Sequence, residues 1–158
     1  MISKFVLSSF YTLVMNNFDE KLLEAAGMQN GYDEVKDLII EKKANVNKRD
    51  ECGGTPLISA CFFEKTDVVK LLLENGADAN LSNNVGNSPL SWIAIAANEG
   101  NSKECLHIMN LLLRFNADID AKNETGSTPL MQCVSVFCVF DFLIQRGANV
   151  NIRDIHNI

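Results

Sequence analysis

Histidine occurs twice, tryptophan once and proline three times in this 158-residue chain, and each scarcity excludes something. With only His107 and His156 available, a zinc site would need cysteines at ligand spacing. The five cysteines (Cys52, Cys61, Cys105, Cys133 and Cys138) contain no Cys-x-x-Cys, and their odd number argues against a disulfide framework. Buried free thiols in a reducing, cytoplasmic setting are expected instead. Basic clusters are absent as well. The 14 Lys and Arg never stand more than two in a row, and the formal net charge is -6, so a phosphate backbone would be repelled. No apolar run is long enough to cross a bilayer; the stretch from Phe5 to Met15 spans eleven residues. Gly53-Gly54-Thr55 lacks the lysine and the spacing of a phosphate loop. Cys105 and His107 are two residues apart, a spacing that turns side chains to different sides of a helix. No catalytic, cofactor-binding or metal-binding residue is therefore assigned, and neither nucleic acid nor membrane is expected as a partner.

The amino-terminal apolar segment, residues 1–20, stands apart from the rest. One positive charge before an apolar run resembles a short signal peptide, but no small-x-small cleavage site follows it. An extra helix covering the end of the fold, or a non-native extension ahead of Met15, are the other readings.

What is present is repetition. All three prolines fall in one motif: Gly54-Thr55-Pro56-Leu57, Asn87-Ser88-Pro89-Leu90 and Ser127-Thr128-Pro129-Leu130. A second landmark follows each, beginning Leu71-Leu72-Leu73, Leu111-Leu112-Leu113 and Phe142-Leu143-Ile144. These runs lead into Gly76-Ala77-Asp78, Asn116-Ala117-Asp118 and Gly147-Ala148-Asn149. An earlier copy runs from Leu38 to Asn47, preceded by Leu22-Leu23-Glu24-Ala25-Ala26 in place of a proline motif. Thr55 to Ser88 is 33 residues; Ser88 to Thr128 is 40, an insertion of seven assigned to a surface loop from Ala97 to Lys103. Thr or Ser before Pro reads as a helix N-cap with proline at the first helical position. The apolar run after it reads as a second helix packed between neighbours. Gly76 and Gly147 suit left-handed helix ends, Asn116 less so and Lys43 least; Gly53, Gly86 and Gly126 suit the turns of hairpin loops.

Motif, 33-residue period and landmark order together resemble the ankyrin repeat family from about Leu22 to the end. The resemblance implies an all-α solenoid of paired antiparallel helices joined by hairpin-like loops, with four repeats and the start of a fifth. The repeats are placed at about 21–53, 54–86, 87–126 and 127–158. The family's histidine after Thr-Pro-Leu is replaced by Ile58, Ser91 and Met131, and its inter-helix glycine by Glu64. Missing inter-loop bonds and a weaker array than the consensus are expected from these departures.

The resemblance also implies a non-catalytic module that binds a protein partner through hairpin fingers and first helices. Carried over by position, the fingertip candidates are Glu51, Cys52 and Gly54; Asn84, Val85 and Asn87; Glu124, Thr125 and Ser127. The first-helix candidates are Phe62, Phe63, Ile95, Ala96, Ser135 and Val136, with Met28 a weaker match. Trp92 reads as core, and either Phe62 or Phe63 could fold inward if Glu64 lengthened its helix. The alternative is the recognition part of a larger ankyrin-containing effector or enzyme. The very apolar final helix pair, from Cys133 to Ile144, adds self-association through the carboxy-terminal end as a further expectation.

Overall fold

The computed structural model describes residues 17–133 and 136–155. The amino-terminal segment up to residue 16, Ser135 and the end from His156 onward, including the expected turn at Asn157, lie outside these residues.

Eight helices and no strand occur among the described residues. They are α1 (residues 17–25), α2 (Tyr32–Ile40), α3 (Pro56–Phe62), α4 (Thr66–Glu74), α5 (Pro89–Ala96), α6 (Ser102–Arg114), α7 (Pro129–Gln132) and α8 (Phe137–Gln145). The proline motifs start α3, α5 and α7. In each, the Thr55, Ser88 or Thr128 hydroxyl accepts a bond from the backbone N–H three residues on, with proline at the first helical position. Residues 17–20 belong to the same helix as Leu22 and Ala25, so the boundary placed at residue 20 falls inside α1.

The helices stack in two layers, one formed by α3, α5 and α7 and the other by α2, α4, α6 and α8. The same slots are filled in successive repeats. Leu22, Leu57, Leu90 and Leu130 are buried in the first helices, and Ile39, Leu72, Leu112 and Leu143 in the second. Each such side chain contributes about 1.5–3 kcal/mol of hydrophobic stabilisation. One slot breaks the pattern: Val69 and Met109 are fully buried, whereas the matching Phe140 is 42% exposed at the last described helix pair.

Three local readings need correction. Glu64 does not extend its helix; α3 stops at Phe62, and Glu64 takes the left-handed conformation itself, at φ 55. The seven-residue insertion is only partly loop, because Ser102 and Lys103 open α6, which is a turn longer than α4. Its remainder is tied down: Asn101 donates to the Glu64 carboxylate at 2.6 Å and to the Ala96 carbonyl at 3.0 Å. The first helix expected to reach Val136 ends at Gln132, and Val136 becomes the buried N-cap of α8. From Asn116 to Gly147 is 31 residues, two short of the 33-residue period, which leaves too little chain for a longer α7.

The expected histidine bonds are indeed absent, since among the described residues Ile58, Ser91 and Met131 bond only within their own repeats. Neighbouring fingers are bonded after all, by a ladder the histidine pattern does not announce. The Asn47 amide donates to the Gly76 carbonyl (3.0 Å) and accepts from the Asp78 N–H (2.8 Å). Asn80 repeats both bonds, to Asn116 (2.9 Å) and from Asp118 (2.7 Å). Asp120 takes the next rung but only accepts, from the Asn149 N–H at 2.9 Å, because a carboxylate has no N–H to give. The Asp19 carboxylate begins the series by accepting from the Asn45 N–H. Asp120→Asn should therefore complete the rung and raise stability by about 1 kcal/mol. A thermal melt shifted upward by a few degrees is the expected reading; an unchanged or lower midpoint would remove the ladder argument at this interface.

Candidate functional site

Each finger is closed by one Asp or Asn. The Asp50 carboxylate accepts from the Gly54 N–H at 2.7 Å, while the backbones of the two residues bond at 2.9 Å. The Asn83 side-chain oxygen accepts from Val85 and Asn87, and that of Asn123 from Thr125 and Ser127. Glycine turns at Gly53, Gly86 and Gly126 hold φ between 76 and 80, a region that costs other residues strain. Backbone bonds join finger to finger: Asn84 N–H to the Cys52 carbonyl (2.9 Å), Glu124 to Val85 (3.2 Å) and Ile155 to Thr125 (2.9 Å). The fingers thus form a fixed row.

The sequence-derived contact candidates divide within this frame. Glu51, Cys52, Val85, Glu124 and Thr125 are exposed on the fingers, and Phe62, Phe63 and Ile95 on the first helices, with Met28 in the turn between α1 and α2. Asn84 is exposed but engaged, donating to the Glu51 carbonyl at 2.8 Å. Ser127 is half-buried and shares a hydroxyl contact with Thr125 at 3.1 Å. Two residues leave the set. Val136 is buried, and Asn87 is buried with its oxygen accepting from the Asn123 and Gln132 amides (3.1 and 2.8 Å). Asn87 is a structural tie between fingers and α7, so it has little left to offer a partner.

Phe62, Phe63 and Trp92 come together. The Phe62 ring lies edge-on to Phe63 (centroids 5.0 Å, 85°) and to Trp92 (5.4 Å, 90°), the arrangement aromatic quadrupoles favour. Phe63 also lies over Gly27, where a Cβ would meet its ring at 2.7 Å. Trp92 is half-buried, so it is neither wholly core nor wholly contact. The three rings and Cys52 line an open cleft of about 200 Å³, closed on the finger side by Asp50 and Asn83. Asp50 was not singled out from the sequence. It occupies the slot held by Asn83 and Asn123 in later fingers, and that alignment was the available signal.

The remaining chemistry is quiet. Cys61 and Cys105 are fully buried. Burial pushes the Cys61 thiol far above its ordinary range, with Cys105 adding to the shift. Cys105 is pushed up to about 12, by burial first and then by Glu64 and Glu104. Cys133 is raised too, again chiefly by burial. Such thiols stay protonated and are poor nucleophiles. His107 is exposed while Cys105 is buried, so they form no catalytic pair. Among the described residues no three His, Cys, Asp or Glu side chains converge on a metal position, and no helix is long and apolar enough to cross a membrane. Toward the carboxy-terminal end, Phe137 (82% exposed), Phe140, Val150 and Ile155 are exposed large apolar side chains.

Comparison with known proteins gives one answer. A family model for ankyrin repeats in three copies matches residues 22–106, more than half of the chain, and one for a single ankyrin repeat matches residues 125–155. An ankyrin repeat protein of Acanthamoeba polyphaga mimivirus is 29% identical over 150 residues, 90% of this chain and 19% of that protein. Ankyrin repeat domain-containing protein 63 of Homo sapiens is 42% identical over 57 residues, 36% of this chain and 15% of that protein. An ankyrin repeat protein of Fowlpox virus (strain NVSL) is 33% identical over 89 residues, 56% of this chain and 42% of that protein. The chain thus spans a fifth or less of the first two relatives and under half of the third.

Proposed function

We propose, on the premise that this chain belongs to the ankyrin repeat family, that it is a non-catalytic module whose fingers and first helices hold a protein partner. It would act as a scaffold, adaptor or inhibitor by occupying that partner, with Phe62 and Phe63 as the anchors. The observation that carries this reading is the exposure of both rings, 44% and 53%, beside fingers that are fixed by their own bonds. Large aromatic side chains held in place on an open surface lose little entropy on binding and are the usual hot spots of an interface. Val85 on the next finger and Ile95 on the next first helix are exposed too and extend the apolar character. The acidic fingertips Glu51 and Glu124 would form a polar rim.

The test is comparative capture. Immobilised wild-type chain, the Phe62→Ala/Phe63→Ala variant and a Phe137→Ser control would be challenged with the same cell extract. Proteins kept by wild type and control should be lost from the double variant, with affinity down at least tenfold for any one purified partner. Retention of the same proteins by all three would reject the aromatic pair as the anchor.

A further inference from the structure

The cleft beside the aromatic pair carries more information than its apolar walls. Asp50 is the one charged residue among those lining it. Closing the finger does not require that charge, since Asn83 and Asn123 close theirs with a neutral amide in the same slot. One carboxylate oxygen of Asp50 accepts from Gly54, and the other has no hydrogen bond or ion pair among the described residues.

Gly54 keeps that oxygen uncovered. A Cβ at Gly54 would meet the outer oxygen of Asp50 at 2.7 Å. The matching residues of later fingers, Asn87 and Ser127, do carry side chains, and both are engaged in hydrogen bonds. The opening therefore exists at this finger because two slots differ: an acid where the others have an amide, and no side chain where the others have one.

We propose that this cleft receives a single basic side chain, Arg or Lys, from the partner polypeptide. The inference rests on the protein-binding reading above and names the chemistry of its anchor. An apolar side chain filling the cleft would strip water from the Asp50 carboxylate and give nothing back. An acidic one would be repelled. A basic side chain satisfies both walls, because its methylene stem packs on Phe62 and Phe63 while its charge meets the carboxylate and the ring faces. The net charge of -6 draws such a segment toward the surface in the first place.

Trp92, the sole tryptophan of the chain, lines the cleft and reports on it. The full chain would be titrated with Ac-Ala-Ala-Arg-Ala-Ala-NH2, its Lys counterpart and its norleucine counterpart, following the Trp92 indole resonance. Both basic peptides should give saturable shifts, and norleucine should bind at least tenfold more weakly. Asp50→Asn, which keeps the finger-closing oxygen, should weaken the Arg peptide roughly tenfold and leave norleucine unchanged. Gly54→Ser, which copies Ser127, should close the cleft to all three. Melting curves of both variants would confirm that they fold. Norleucine binding as well as Arg, an Arg affinity indifferent to Asp50→Asn, or no Trp92 response to either basic peptide would each overturn the proposal. Those outcomes leave the aromatic anchors standing, which fall only to the capture experiment.

Discussion

Gly86→Ala should be the most damaging single-methyl change in the finger row, costing about 3 kcal/mol or more of stability. Two effects add. Gly86 holds φ +80, where any Cβ strains the backbone by about 1–2 kcal/mol. The new methyl would also sit 2.8 Å from Asn123 Cα and from the Glu124 backbone nitrogen. Those atoms belong to the next finger's main chain and cannot rotate aside, so the Glu124 to Val85 bond between fingers must lengthen or break. Gly76 isolates the first effect: its φ is +88, but nothing lies within 4 Å of where a Cβ would stand. Gly76→Ala should therefore cost only the strain. Urea unfolding of both variants reads the difference directly; equal losses would mean the fingers yield more easily than their packing implies.

Raising the pH above 9 should unfold the chain with unusual steepness. Cys61 and Cys105 are fully buried, and burial lifts both thiols well above the ordinary value of 9.0. Below pH 9 both states keep these protons and nothing is lost. Above it the unfolded chain releases them while the folded chain retains them, so stability falls as pH rises toward the folded values. Each retained proton contributes up to roughly 1.4 kcal/mol per pH unit once the unfolded thiol is fully ionised, so the pair removes about 2 kcal/mol between pH 9 and 10. Cys133 acts in the same direction. Urea midpoints at pH 8, 9, 10 and 10.5 would show the slope. Cys61→Ala/Cys105→Ala should lie lower at pH 8, through lost packing, yet decline less steeply. Parallel slopes for the two proteins would place the alkaline sensitivity elsewhere.

The helices were legible because their signals are local. Thr55, Ser88 and Thr128 cap where the proline motifs predict, and the left-handed positions fall at Lys43, Gly76, Asn116 and Gly147 as the landmark alignment requires. Errors arose where chain length or a distant residue decides. Whether α7 could reach Val136 depends on the chain left before α8, and the fate of the insertion depends on Asn101 finding Glu64 in another repeat. The asparagine ladder was invisible for a similar reason: Asn47 and Asn80 look like ordinary loop residues until their partners, some thirty residues away, are known. The aromatic half of the candidate site could be read from position in the repeat. Its acidic half was missed, because Asp50 shares a finger-closing slot with Asn83 and Asn123 and only its charge, visible in that alignment, sets it apart.

The ladder also sorts the finger residues into two trades. Asn47, Asn80, Asp120, Asp50, Asn83 and Asn123 set where each fingertip stands, and every one of them spends side-chain bonds doing so. Glu51, Cys52, Val85 and Glu124 join neighbouring fingers through their backbones or not at all. Their side chains can be exchanged at little cost to the framework. For anyone redirecting this chain to a new target, those four positions are the type to reset, and the ladder is the frame that keeps the line straight.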